Sequence, residues 1–196
     1  MNFCQAVRVI ALSVLLPLLV CLGSFAQEPD PKPSQKADPS PVSASGVADQ
    51  AFLKEAADGG LGEVELGQLA VEKASNPEVK QFAQRMMTDH GKANVELARL
   101  ASKKGVDLPS EPGQKNKATK EQLSKLSGEE FDEAYMSAML KDHKEDIAEF
   151  KAESANGTDS DVKQFASETL PTLQDHLKQA EKVAAKLPQS AANSPK

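Results

Sequence analysis

The sequence predicts an all-α protein, an antiparallel four-helix bundle, and three observations carry that expectation. Between residues 49 and 187 no stretch alternates apolar and polar residues as a strand would, whereas apolar residues recur at steps of three and four. Helix starts and stops follow one another along that stretch in the order four long helices need. The pentapeptide VKQFA occurs twice, at Val79–Ala83 and Val162–Ala166. Each copy opens a predicted helix and runs on to an Asp-His pair.

Asp49 is placed to cap a first helix ending near Ala74. Gly59, Gly60 and Gly62 weaken it by about 1 kcal/mol each against alanine, so either a neighbour packs closely there, the favoured reading, or the helix breaks. Asn76 followed by Pro77 and Glu78 starts the second helix with a side-chain cap, a first-turn proline and a carboxylate at the positive end. Lys103, Lys104 and Gly105 finish it. A polar connection over 105–118 follows, and Thr119 with Gln122 reads as the capping box of a short helix. Ser127 with Glu130 opens the third long helix, which stops at Asn156-Gly157. Asp159 or Ser160 caps the fourth, running to about Lys186, and Pro171 must kink or locally reorganise it.

Stripes such as Phe82, Met86 and Leu97, or Phe131, Tyr135 and Met139, place one apolar face on each helix. The connection between the second and third long helices can travel the length of a bundle. That predicts two hairpins joined by a crossover containing a short helix, the ferritin-like plan, rather than a simple up-down-up-down array. The repeated VKQFA opens the second helix of each hairpin, as in a duplicated helical pair.

Residues 1–26 read as a signal peptide: one charge, Arg8, an apolar run from Val9 to Leu22, and Ser24-Phe25-Ala26 before a cleavage point. Lipidation at Cys21 and retention as an anchor are the two alternatives. Residues 27–48, with Pro29, Pro31, Pro33, Pro39 and Pro41, read as a disordered linker, and 188–196 as a disordered tail. Both cysteines, Cys4 and Cys21, lie in the leader, so the remainder offers no disulfide, thiol nucleophile or zinc-thiolate site. The net charge of −6 becomes −7 when Arg8 is removed. An acidic body without a basic stripe argues against nucleic acid as a partner, and no basic amphipathic face suits a membrane surface.

The chain has 3 histidines, His90, His143 and His176, one on each of the last three long helices and each on its apolar stripe. The first helix contributes Glu63 on the side of Phe52, Ala56 and Ala70. Glu63, His90 and His143 should lie level at mid-height, with His176 about 7 Å further along at 1.5 Å per residue. One carboxylate and three imidazoles in a bundle core fit two readings. One is a shell for a single transition metal such as zinc, iron or copper. The other is a buried polar layer that fixes helix register through hydrogen bonds to Glu63, Tyr135 or water. Asp89, Asp142 and Asp175 point about 100° away from the histidines that follow them and are expected in solvent, the alternative being that one of them backs a histidine of the layer. Met86, Met87, Met136 and Met139 near His90 and His143 would suit cuprous copper, although methionine at helical spacing is ordinarily core filler.

The segments AADGGLGEVELG, RMMTDH, FDEAY and LPTLQDH, taken together, resemble the bacterial family called domain of unknown function 4142 over about 50–185. The resemblance implies an exported protein with a ferritin-like bundle, and it places Glu63, His90, His143 and His176 at recurrent polar positions. It implies no activity. The Glu-x-x-His pairs of di-iron bundles are missing, since Met87, Leu140 and Leu173 stand three before the histidines. No phosphate-cradling loop or nucleophile motif is present either. The expected role is therefore a non-enzymatic envelope protein that binds a protein or small-ligand partner or serves under stress. The alternative is a transition-metal-binding or metal-dependent redox protein using the Glu/His set.

Overall fold

The computed structural model describes residues 44–188, which form five helices and no strand. They are α1 (Ala44–Lys73), α2 (Pro77–Lys104), α3 (Gln114–Ser124), α4 (Gly128–Asn156) and α5 (Ser160–Ala184). The leader, most of the expected linker and the tail from 189 onward lie outside the described residues.

Hairpins α1–α2 and α4–α5 each turn in a three-residue loop and pack as antiparallel pairs, while α2 lies against α5 and α1 against α4. The connection after α2 runs the length of the bundle, so that Gly128 at the start of α4 returns beside Ala74 at the end of α1. On the way it lays α3 across α1 and α4. This is an all-α ferritin-like bundle with the expected crossover.

The local punctuation explains α2 closely. Asn76 accepts a hydrogen bond from the amide of Glu78 at 2.8 Å, and Gly105 ends the helix at φ 67°, a left-handed conformation glycine adopts without steric cost. Asp159 caps α5 through the amides of Asp161 and Val162. Helix α5 continues unbroken through Pro171.

Four expectations need correction. Helix α1 starts at Ala44, so Asp49 lies inside it and 44–48 are helix rather than linker. The Asp49 carboxylate is buried and serves another element: it accepts from the Thr158 amide (3.0 Å), the Thr158 hydroxyl (2.6 Å) and the Asp159 amide (2.8 Å) in the α4–α5 loop. Helix α3 starts at Gln114, because the Gly113 amide at its entry is held by Asp58 of α1. Thr119 sits mid-helix, its hydroxyl bonded to the carbonyl of Lys115. Ser127 does precede α4, but its side chain caps nothing. Among the three glycines, a Cβ at Gly60 would collide with Asn94 and one at Gly62 with Asn116, whereas one at Gly59 would meet nothing. Close packing accounts for two of the three.

The duplication extends beyond VKQFA. At the same 83-residue offset that separates Val79 from Val162, Asp49 corresponds to Asp132, Ser75 to Thr158 and Asn76 to Asp159. The structure repeats the contact as well. Buried Asp132 of α4 accepts from the Ser75 and Asn76 amides at 3.1 and 2.8 Å, closing the α1–α2 loop as Asp49 closes the other.

The apolar core is in two parts. One surrounds Phe82, Phe131, Tyr135 and Met139 near the Asn76 end; the other surrounds Phe52, Leu97, Phe150 and Phe165 near the Gly157 end. Between them lies a polar layer.

Candidate metal centre

That layer consists of Glu63 (α1), His90 (α2), His143 (α4) and His176 (α5), each no more than 6% exposed. The structure thus brings together all four residues singled out in the sequence. The ring centroids of the histidines lie 5.3–5.7 Å apart. One ring nitrogen from each can be chosen so that all three lie within 4.8 Å of one another.

His176 is level with the others, not displaced along the bundle. The reason is side-chain tilt. Glu63 lies ten residues before the end of α1 and His90 thirteen after the start of α2; His143 lies thirteen before the end of α4 and His176 sixteen after the start of α5. Each hairpin therefore has the same three-residue offset between Cα atoms. Helical side chains lean toward the helix N-terminus, so in an antiparallel pair they lean toward each other and close that offset.

The outer nitrogens are all held. His90 Nδ1 lies 2.8 Å from Glu63 Oε2, His143 Nδ1 2.9 Å from the carbonyl of Met139, and His176 Nε2 3.0 Å from Asp89 Oδ2. A carbonyl or carboxylate accepts there, so those nitrogens carry the protons, and His90 Nε2, His143 Nε2 and His176 Nδ1 are left as bare lone pairs. His143 Nε2 and His176 Nδ1 face each other at 3.4 Å. His90 Nε2 is buried with no hydrogen-bond partner. Glu63 Oε1, 3.3 Å from His143 Nδ1, likewise accepts no hydrogen bond.

Burial lowers the basicity of all three rings, driving His90 and His176 down to about 4, against the pull of Asp89 on each. His143 is lowered for the same reason, with Glu63 opposing. At neutral pH the rings are uncharged, the form that binds metals. Burial pushes the Glu63 carboxyl up to about 7, opposed by His143. A chain of acids extends outward from it. Burial and the charge of Glu63 raise Asp146 to about 8, and burial with a hydrogen bond donated to Glu55 raises Glu149 to about 7.

Two neighbours differ from expectation. Asp89 is not solvated away from the site: it orients a histidine, though on α5 and not the one beside it in sequence, and it is shared with Arg85 at 3.2 Å. Asp175, by contrast, is exposed and paired with Arg85, and Asp142 pairs with Lys115. Tyr135 packs beside Phe131 and Phe82, but its hydroxyl makes no hydrogen bond, and burial raises its pKa. Asp146 and Glu149 gave no signal in sequence, because acids on an amphipathic helix read as a solvated face.

The family model described as domain of unknown function DUF4142 matches residues 31–183. The chain belongs to that family. No curated protein matches it in sequence. Solved structures similar to this DUF4142 chain include a DUF305 fragment from Deinococcus radiodurans, at 15% identity and a TM-score of 0.63, covering 71% of this chain and 97% of that one. The hypothetical protein rv2844 from Mycobacterium tuberculosis is 16% identical with a TM-score of 0.61, covering 77% and 100%. CopM in its Cu(II)-bound form is 15% identical with a TM-score of 0.60, covering 70% and 95%. At these identities the likeness is one of fold.

Proposed function

We propose that this DUF4142 protein is an exported, non-enzymatic metal-binding bundle that holds one transition-metal ion between His90, His143 and His176, with Glu63 fixing the outer N–H of His90. The observation that carries the reading is the arrangement of the imidazoles. One nitrogen from each ring lies within 4.8 Å of the others in a buried layer, an outer N–H of each ring is fixed by Glu63, Met139 or Asp89, and His90 Nε2 has nothing to bond. Outer partners that fix tautomer and orientation are the usual surroundings of metal-binding histidine.

The purely structural reading explains less. A register-fixing polar layer needs its buried groups satisfied, yet this one leaves His90 Nε2 without a partner and sets two acceptor nitrogens against each other at 3.4 Å. Around an ion with bonds of about 2.0–2.1 Å, nitrogens sit about 3.3 Å apart. The His143–His176 edge is already there at 3.4 Å. Neutral imidazole suits zinc, copper, iron or nickel. The Cu(II)-bound form of the fold relative CopM makes copper the first ion to try. Export rests on the signal-peptide reading of residues 1–26.

The test is metal analysis of the protein purified without a histidine tag. One equivalent of bound copper or zinc is expected, and both His90→Ala and His143→Ala should lose it. A protein that stays metal-free and whose melting no divalent ion shifts would overturn the reading.

A further inference from the structure

The ion's way in is also written in the fold. A cavity of about 290 Å³ opens between α1, α3 and α4, and it is walled largely by acids. Its cation, Lys115, is already taken, at 3.2 Å from Asp142 and 2.7 Å from Glu145. Behind it, a smaller cavity of about 30 Å³ reaches His90 and has room for one or two water-sized species. Glu55, Gly59, Glu63, Asp146 and Glu149 line both. Glu55, Gly59 and Glu63 recur every four residues on α1, and Asp146 and Glu149 share a face of α4.

Three further observations separate this wall from an ordinary acidic surface. Glu63 is 3% exposed, lines the cavity, and has an oxygen with no hydrogen-bond partner. Asp146 stands at the 83-residue offset from Glu63, so the duplication sets two equivalent carboxylates at the inner end. Gly59 carries a helix-weakening residue in a long helix with no packing reason, since a Cβ there meets nothing within 4 Å. The space it leaves is the shared wall of the two cavities.

We propose that this cavity is a loading site: Glu55, Asp146 and Glu149 take a hydrated divalent cation from solvent and pass it beside Gly59 to Glu63 and His90. The inference rests on the metal-binding reading and adds a route and an outer site to it. Oxygen ligands that keep water on the ion suit a transient stop, and the imidazoles suit the final one. Facing acids also concentrate cations at the mouth, an effect worth about 10- to 1,000-fold in association rate and weakened by salt.

The experiment is stopped-flow loading of metal-free protein with Co²⁺, followed by the visible absorption that intensifies when nitrogen donors bind. At about pH 8.5, where both carboxylates are ionised, Asp146→Asn/Glu149→Gln should load about tenfold or more slowly at low salt and should lose most of the salt dependence seen in the unaltered protein. Gly59→Phe, which fills the passage, should slow loading and chelator-driven release by the same factor, leaving the stoichiometry unchanged. If circular dichroism shows Gly59→Phe to be misfolded, the carboxylate variant and the salt series decide. Variants that load at the unaltered rate would overturn the loading site while leaving the histidine site standing. An unaltered protein that takes up no Co²⁺ would overturn both.

Discussion

A single contact distinguishes Asp89 from its sequence counterparts Asp142 and Asp175: its carboxylate, not theirs, receives a histidine N–H. Asp89→Asn keeps the size of the side chain but weakens its hold on the His176 tautomer. Metal affinity should fall by about 10- to 100-fold with the ligands intact, as measured by competition with a chelating dye. An unchanged affinity would show that His176 needs no orienting partner. Nothing local marked Asp89, because its ring partner lies 87 residues away on another helix. The four inward residues were legible because each stands on an apolar stripe, where a polar group is conspicuous.

At the scale of elements, the loops are held by side chains from the opposite hairpin. Asp49→Ala strips acceptors from the Thr158 and Asp159 amides, and Asp132→Ala does the same to Ser75 and Asn76. Each change should cost about 2 kcal/mol in urea unfolding, in the range of lost helix caps and unsatisfied buried amides. A loss below about 0.5 kcal/mol would mean that water replaces the carboxylate at no cost. The same feature explains which boundaries could be read from sequence. Asn76, Gly105 and Asp159 act on their own helices and were legible. Asp49 has the local pattern of an N-cap but serves a loop 109 residues on, so the start of α1 was misplaced. The entry to α3 is set by Asp58 in the same long-range manner.

For the whole molecule, the buried layer makes stability depend on pH in two opposing ways. His90 and His176 titrate at about 4 when folded against an ordinary 6.5, so the unfolded chain takes protons that the folded one refuses. Stability is lost as pH falls through that window. Glu63 and Asp146 titrate at about 7 and 8 against ordinary values of 4.5 and 3.8, so the folded chain keeps protons that the unfolded one has released. Stability is lost as pH rises toward 8. Between about pH 4.5 and 6.5 the two losses offset each other, and above about pH 6.5 only the loss from the acids remains, so the midpoint of metal-free protein should fall from pH 6.5 to pH 8. Asp146→Asn removes part of that loss, raising the midpoint at pH 8 by about 2–4 °C, by less at pH 5, and not at all below about pH 4, where the unfolded carboxyl is also protonated. A midpoint that climbs steadily to pH 8 would contradict the assignment.

The exchanged carboxylates have a consequence for how the chain assembles. Neither hairpin can finish its own corner, because Asp132 must arrive from one half to complete the other, and Asp49 must arrive in return. A hairpin made alone would carry bare amides at its bend and one uncovered apolar flank. Docking therefore cures both defects in one event, and the two halves gain order together rather than in turn.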